Sequence, residues 1–285
     1  MYVKAFAKIN LFLDVVGKND DGYHELEMVM LPIELHDSIS ISVLPYSTNN
    51  SVVCDHVELK ATKYNMVNRT IALMKQTYNF DQFFTVVVHK EIPIAAGLGG
   101  GSSNAAATMK AIYNILKIND TNENKNKLAK SLGADVPFCL LNKPAIVKGI
   151  GEKITPIKLK NDWYVLIVMP EMGLSTKDVF VKADEMELKH GNIENVINAL
   201  HNGNEEELGK AMFNSLQDVS ISMNPEIQPI IDLMKNDGLS AVMMSGSGSS
   251  VFAISKNRSK LQKIYLKYEK MGLDVYLTKV IKDHE

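Results

Sequence analysis

Eighteen consecutive residues, Ile92 to Met109 (IPIAAGLGGGSSNAAATM), carry no charged side chain, although charged residues make up 22% of the chain. Gly97, Gly99, Gly100 and Gly101, followed by Ser102 and Ser103, stand where a helix begins. Glycine lets the backbone turn tightly and approach a ligand closely. Ser102, Ser103 and Asn104 read as cap residues whose following amides point outward. A helix N-terminus offers free N–H donors and roughly half a positive charge, which suits a phosphate chain. The alternative is a structural glycine turn before a buried helix, for which Ala105, Ala106, Ala107, Ala111 and Ile112 provide close-packing residues. Three consecutive glycines cost backbone entropy without adding a packing contact, and that weighs against the alternative. Neither GxxxxGK[ST] nor GxGxxG occurs, so the P-loop and Rossmann readings fall.

A second charge-free window, Gly238 to Ser255, holds the glycine-serine turn Ser245-Gly246-Ser247-Gly248-Ser249-Ser250 between two apolar runs. Alone it reads as a hairpin turn. Beside the first loop it also reads as a second wall of one ligand site. Neither window competes with a membrane span, because both are rich in Gly, Ser and Ala. The apolar run in MYVKAFAKINLFLDVV is interrupted by Lys8 and Asp14 and reads as a strand, not a secretory segment. Cys54 and Cys139 are too few for a disulfide framework, which points to the cytoplasm. A net charge of -2 with scattered Lys and Arg argues against a nucleic-acid partner.

Strand signals fill the first ninety or so positions: Tyr2 to Val16 broken near Lys8, Glu25 to Ile33, Ser38 to Val43, and Phe83 to His89. Helical spacing marks Val67 to Tyr78, Ser102 to Leu116 and Lys125 to Leu132. After the polar bridge Lys158 to Asp162 the run WYVLIVMP opens a new unit, giving domains 1–159 and 160–285. Helices are then expected over Ser175 to Ala183 with a Ser175–Asp178 capping box, Ile193 to Leu200, Glu206 to Leu216, Pro225 to Lys235, and Ser259 to Met271.

Three blocks, AKINLFLDVVGKNDDGYHEL, PIAAGLGGGSSNAA and MSGSGSSVFA, together resemble the GHMP kinase superfamily of small-molecule kinases. The first block, with GADVPF at Gly133 to Phe138 and AxxxGxGExxxP from Ala145 to Pro156, is similar to the 4-diphosphocytidyl-2-C-methyl-D-erythritol kinase family of the methylerythritol phosphate route to isoprenoids. The resemblance runs over essentially the whole chain. It implies an α+β fold, with an N-terminal domain like domain 2 of ribosomal protein S5, a C-terminal ferredoxin-like domain and an active site in the cleft between them. It also implies transfer of the ATP γ-phosphate to the 2-hydroxyl of the methylerythritol part of the substrate, giving a 2-phosphate and ADP. Another GHMP kinase acting on a different alcohol, and a non-catalytic ligand sensor on the same fold, are the competing expectations.

Residue by residue, Asp135 in GADVPF matches the catalytic aspartate, which would orient the hydroxyl and accept its proton. Lys8 in AKIN matches the partner lysine, which would stabilise the developing oxyanion. Read without the family, Asp135 is a helix cap and Lys8 a solvated strand residue. Asn10 shares Lys8's face of a strand and would hold the substrate. Tyr23 and His24 match residues implied to stack on and read cytosine, and Phe180 in STKDVF matches the opposite stacking face; core packing is the alternative for Phe180. Gly246 and Gly248 would complete the substrate pocket. For ATP the implied set is Pro93, Ile94, Ala95, Ala96, Gly97, Leu98, Gly99, Gly100, Gly101, Ser102 and Ser103, with Asn65 on adenine and Lys90 lining the pocket. Mg2+ is expected with the nucleotide, with Ser103 as a weak candidate ligand. The expected partner is a small molecule carrying a cytidine diphosphate group, with neither nucleic acid nor membrane, and the protein a monomer or homodimer.

Overall fold

The computed structural model describes residues 1–20, 22–56 and 66–282. Two strands of unusual length organise it. The first, β1 (Tyr2–Lys18), is buried at every position from Ala7 to Val15, with solvent excluded from both faces. Lys8, Asn10 and Asp14 lie inside that stretch, and a strand that buries polar groups must pair them. The break expected near Lys8 is absent, because the Lys8 side chain finds a partner two residues along its own strand. The second, β2 (His24–Val43), runs for 20 residues where two strands were expected. It passes through Pro32, whose missing N–H is no obstacle and whose carbonyl accepts from Ile281 N at 2.8 Å.

The chain forms two compact units. The first gathers residues 1–7, 35–92 and 99–142. It contains β3 (Ser51–Cys54), α1 (Met66–Tyr78), β4 (Phe84–His89), α2 (Gly100–Ile115), α3 (Asn122–Leu132) and the short α4 (Val136–Leu141). β3 lies parallel to β4, and β4 pairs antiparallel with the far half of β2 from Ser38↔His89 to Val43↔Phe84. Ile39, Ile41, Phe84, Val86 and Val88 supply the sheet side of the core; Val67, Ile71 and Met74 of α1 and the alanines of α2 supply the helix side. Small residues on α2 let α1 pack closely on it.

The second unit gathers residues 8–34, 93–98 and 143–285. Its first sheet portion joins the near half of β2 to β5 (Ala145–Gly149), with β6 (Lys153–Pro156) beyond, and sets β8 (Phe213–Asn214) parallel to β1. Its second sheet has the order β11-β7-β10-β9, built from β7 (Tyr164–Met169), β9 (Val242–Met244), β10 (Val251–Ser255) and β11 (Asp274–Lys279), every pair antiparallel. That order, with helices between β7 and β9 and between β10 and β11, is the ferredoxin-like arrangement. The helices are α5 (Thr176–Ala183), α6 (Ile193–Asn202), α7 (Glu205–Ala211), α8 (Gln217–Met223), α9 (Ile227–Asn236) and α10 (Arg258–Lys270). The Ser175 side chain accepts from Asp178 N, so Ser175 caps α5 as expected. The helix expected over Glu206 to Leu216 stops at Ala211, where β8 begins on the edge of β1. The units interleave three segments each, whereas a division at 159/160 cuts the chain once.

Candidate active site

The glycine stretch turns where expected, with a different division of labour. Ala95, Gly97 and Gly99 take φ of 54, 71 and 72°, while Gly100 and Gly101 are already helical. Gly99 is the N-cap of α2, with no side-chain cap bond. Ser103 and Asn104, expected as caps, lie inside the helix and are buried: the Ser103 hydroxyl donates to the Phe6 carbonyl, and Asn104 Nδ2 donates to Asp37 Oδ2 at 2.7 Å. Helix propagation thus starts two residues before the reading from serine caps. The first turn of α2 contains no acidic residue. Backbone amides at such an end, beside the dipole's positive pole, suit a phosphate.

Beneath the loop, within the first unit, Asp37 is fully buried and accepts from four donors: Glu91 N at 2.9 Å, Ile92 N at 2.9 Å, Asn104 Nδ2 at 2.7 Å and the Lys90 ammonium. A buried carboxylate is tolerable only when paired and hydrogen-bonded, and this one is. It pins the three residues before the loop to the first turns of α2. Lys90 Nζ, 5% exposed, also stands 3.1 Å from where a Gly100 Cβ would sit. Sequence reasoning missed Asp37; its one signal is an acid amid the apolar-alternating run of β2.

In the second unit the Lys8 ammonium donates to Asn10 Oδ1 at 2.7 Å, as the period-two spacing of a strand permits, and Asn10 Nδ2 approaches Met28 Sδ at 3.4 Å. The Lys8 amide donates to the Leu98 carbonyl at 3.0 Å, tying β1 to the glycine stretch. The second glycine turn joins β9 to β10 as a hairpin and presses on the same place. A Cβ on Gly246 would lie 3.0 Å from Lys8 Nζ and 3.5 Å from Asn10 Oδ1. Ser245 Oγ donates to the Gly97 carbonyl at 3.1 Å and Ser250 Oγ to the Ala96 carbonyl at 2.6 Å. Asn214 Nδ2 holds the turn from behind through the Met244 and Gly246 carbonyls at 3.0 and 2.8 Å. Lys8, Asn10, Gly97, Leu98 and Gly246 therefore meet.

Asp135, in the first unit, precedes α4 and is half-buried. It occupies the N-cap position of α4, but its carboxylate makes no capping bond there. Proline in the first turn of α4 fixes the turn, and a Cβ on the neighbouring Gly133 would lie 4.0 Å from Ser102 Oγ.

A further group gathers at the turn between β1 and β2. Tyr23 is 62% exposed, and its amide donates to Asn19 Oδ1 at 2.8 Å. The rings of His24 and Phe180 face each other at 4.8 Å, tilted by 32°. Phe180 is half-buried, unlike its core neighbour Val179. Asp184, which sequence reasoning missed, contacts His24 Nε2 at 2.7 Å and accepts from Lys18 Nζ at 2.7 Å. Asn65 lies outside the described residues. Cys54 and Cys139 form no disulfide, and among the described residues no group of His, Cys, Asp and Glu is arranged to hold a metal. Among them, too, no helix is long and apolar enough to cross a membrane.

Comparison with known proteins matches two family models, the GHMP kinases N terminal domain at residues 65–143 and the GHMP kinases C terminal at residues 196–273. The chain is 36% identical over 282 residues to the 4-diphosphocytidyl-2-C-methyl-D-erythritol kinase of Clostridium kluyveri, covering 99% of this chain and 100% of that protein. It is 38% identical over 283 residues to the enzyme of the same name from Lachnoclostridium phytofermentans, covering 97% and 96%. A crystal structure of 4-(cytidine 5'-diphospho)-2C-methyl-D-erythritol kinase superposes with a TM-score of 0.82 at 26% identity over 99% of this chain and 100% of that one. Homoserine kinase from Cytophaga hutchinsonii shares the fold, with a TM-score of 0.75 at 15% identity over 99% and 95%.

Proposed function

This chain belongs to the GHMP kinases and, within them, to the 4-diphosphocytidyl-2-C-methyl-D-erythritol kinase family, and on that premise we propose that it phosphorylates the 2-hydroxyl of that substrate with ATP. The hydroxyl oxygen forms a bond to the γ-phosphorus as the bond from that phosphorus to the β,γ-bridging oxygen breaks. ADP leaves, and the hydroxyl proton passes to the Asp135 carboxylate. The Lys8 ammonium, buried and directed by Asn10, offsets negative charge developing on oxygen. The observation that carries the kinase reading is the start of α2, whose first turn has no side-chain cap bond and no acid. Residues 93–103 receive the ATP phosphates there, and Lys90 and Asn65 take the nucleotide roles assigned from sequence. Mg2+ would arrive with ATP, held mostly by phosphate oxygens and water, since magnesium takes few protein ligands. The Ser103 hydroxyl, already given to the Phe6 carbonyl, contributes little to that shell. Tyr23, His24 and Phe180 take the cytosine, with Gly246 and Gly248 bordering the sugar phosphate. The reaction is cytoplasmic.

Incubation with ATP and a panel of alcohols, the cytidyl diphosphate of methylerythritol among them, tests the reading. ADP release and a 2-phosphate product from that alcohol alone are expected. Faster turnover of a different alcohol, or ATP binding with no transfer to any of them, overturns it.

A further inference from the structure

Asp184 bonds to both sides of the aromatic cluster in the second unit. Through Oδ2 it accepts from Lys18 Nζ at 2.7 Å, and through Oδ1 it meets His24 Nε2 at 2.7 Å, the two residues at the strand ends that flank the turn carrying Tyr23. Through its amide it donates to the Phe180 carbonyl at 3.2 Å, one helical turn back along α5. The Asp184 carboxylate thus ties His24 to the end of the same helix, α5, whose Phe180 ring lies 4.8 Å from the His24 ring.

We propose that Asp184 is a positioning residue for base recognition: it sets the separation of His24 from Phe180 and decides which nitrogen of His24 carries the proton. A carboxylate only accepts, so Nε2 must be the protonated nitrogen facing it. In the neutral imidazole Nδ1 is then left as an acceptor. An acceptor matches the exocyclic amino group of cytosine and mismatches uracil, which presents a carbonyl oxygen at the same ring position. Lys18 occupies the second carboxylate oxygen and resists rotation of the group away from His24. The Lys18 hydrogen bond, with that of His24, also holds the Asp184 carboxyl below the usual range, which keeps it an acceptor at neutral pH.

The inference rests on the cytidyl-substrate reading above and is tested on the full chain by steady-state kinetics, with CMP and UMP as competitors. Asp184→Ala is expected to raise KM for the cytidyl substrate about tenfold, the scale of a lost charge-assisted hydrogen bond, while kcat, KM for ATP and melting temperature hold. Asp184→Asn keeps an oxygen for Nε2–H and should recover most of that loss. The preference for CMP over UMP should narrow in Asp184→Ala. Combined with His24→Ala, Asp184→Ala should add nothing further, because it acts through His24. An unchanged KM in Asp184→Ala, or a full additional loss in the His24→Ala background, overturns the positioning role. If Asp184→Ala melts early, the Asn variant and its pairing with His24→Ala decide in its place. A wild type that neither turns over the cytidyl substrate nor responds to CMP overturns the cytidyl reading itself, and this proposal with it.

Discussion

Lys8 and Asp135 carry the chemistry on the proposed reading, and Asp135 has a single-residue test. Asp135→Asn should lower kcat about 10²- to 10⁴-fold, the usual range for a general base, with ATP affinity changed no more than a few-fold. Single-turnover kinetics beside a nucleotide titration would show it, and a variant keeping most of its kcat removes Asp135 from the mechanism. Asp37 calls for a different measurement. Asp37→Ala leaves the Lys90 ammonium buried and the amides of Glu91 and Ile92 without their acceptor, so a destabilisation of about 3–5 kcal/mol is expected in denaturant unfolding. A loss under about 1 kcal/mol would mean water replaces the carboxylate. The legibility of these residues in the sequence divides sharply. Lys8, Asn10 and Asp135 sit in dense motifs, whereas Asp37 and Asp184 are isolated acids whose partners stand 53 and 160 positions away at Lys90 and His24. No local pattern signals a contact made only by folding.

Among the elements, the start of α2 shows where pattern reading stops. Glycines were counted as loop, yet Gly100 and Gly101 are helical, and at Gly100 the neighbouring Lys90 and Ile92 fill the space a side chain would need. A substitution at Gly100 would therefore test packing as much as binding. Gly101 is the cleaner probe, since it is exposed and, among the described residues, a Cβ there would meet only Met66 Cγ, at 3.5 Å. Gly101→Val should fold, with a helix-interior cost well under the global stability, and should weaken ATP binding by crowding the amides. Equilibrium binding of ATP beside a thermal melt checks both halves; a folded variant with wild-type affinity would return the loop to a structural turn. The elements that escaped sequence reading, β3, α4, β5, β6, β8 and α8, are two to seven residues long, too short for either periodicity to declare itself. β1 and β2 were read as broken for the opposite reason: polar residues that look solvated are paired inside.

For the whole molecule, the interleaving of segments sets what can fold by itself. The stretch 160–285 looks self-sufficient in sequence and contains the whole β11-β7-β10-β9 sheet. Yet β8 needs β1, Val280 bridges Ile33, and Ile281 N needs the Pro32 carbonyl, all supplied from residues 8–34. Expressed alone, 160–285 should lack a cooperative melt, and circular dichroism against temperature would show a shallow slope; a sharp transition would establish it as an autonomous domain. The two glycine turns are bound by a comparable dependence. A Cβ on Gly97 would stand 2.0 Å from the Ser245 carbonyl oxygen, while the hydroxyls of Ser245 and Ser250 are given to Gly97 and Ala96. Each turn is thus the mould of the other. Residue changes in one are permitted only by matching changes in the other, and an engineer grafting a different kinase's phosphate loop into this chain would have to carry its second glycine turn across with it.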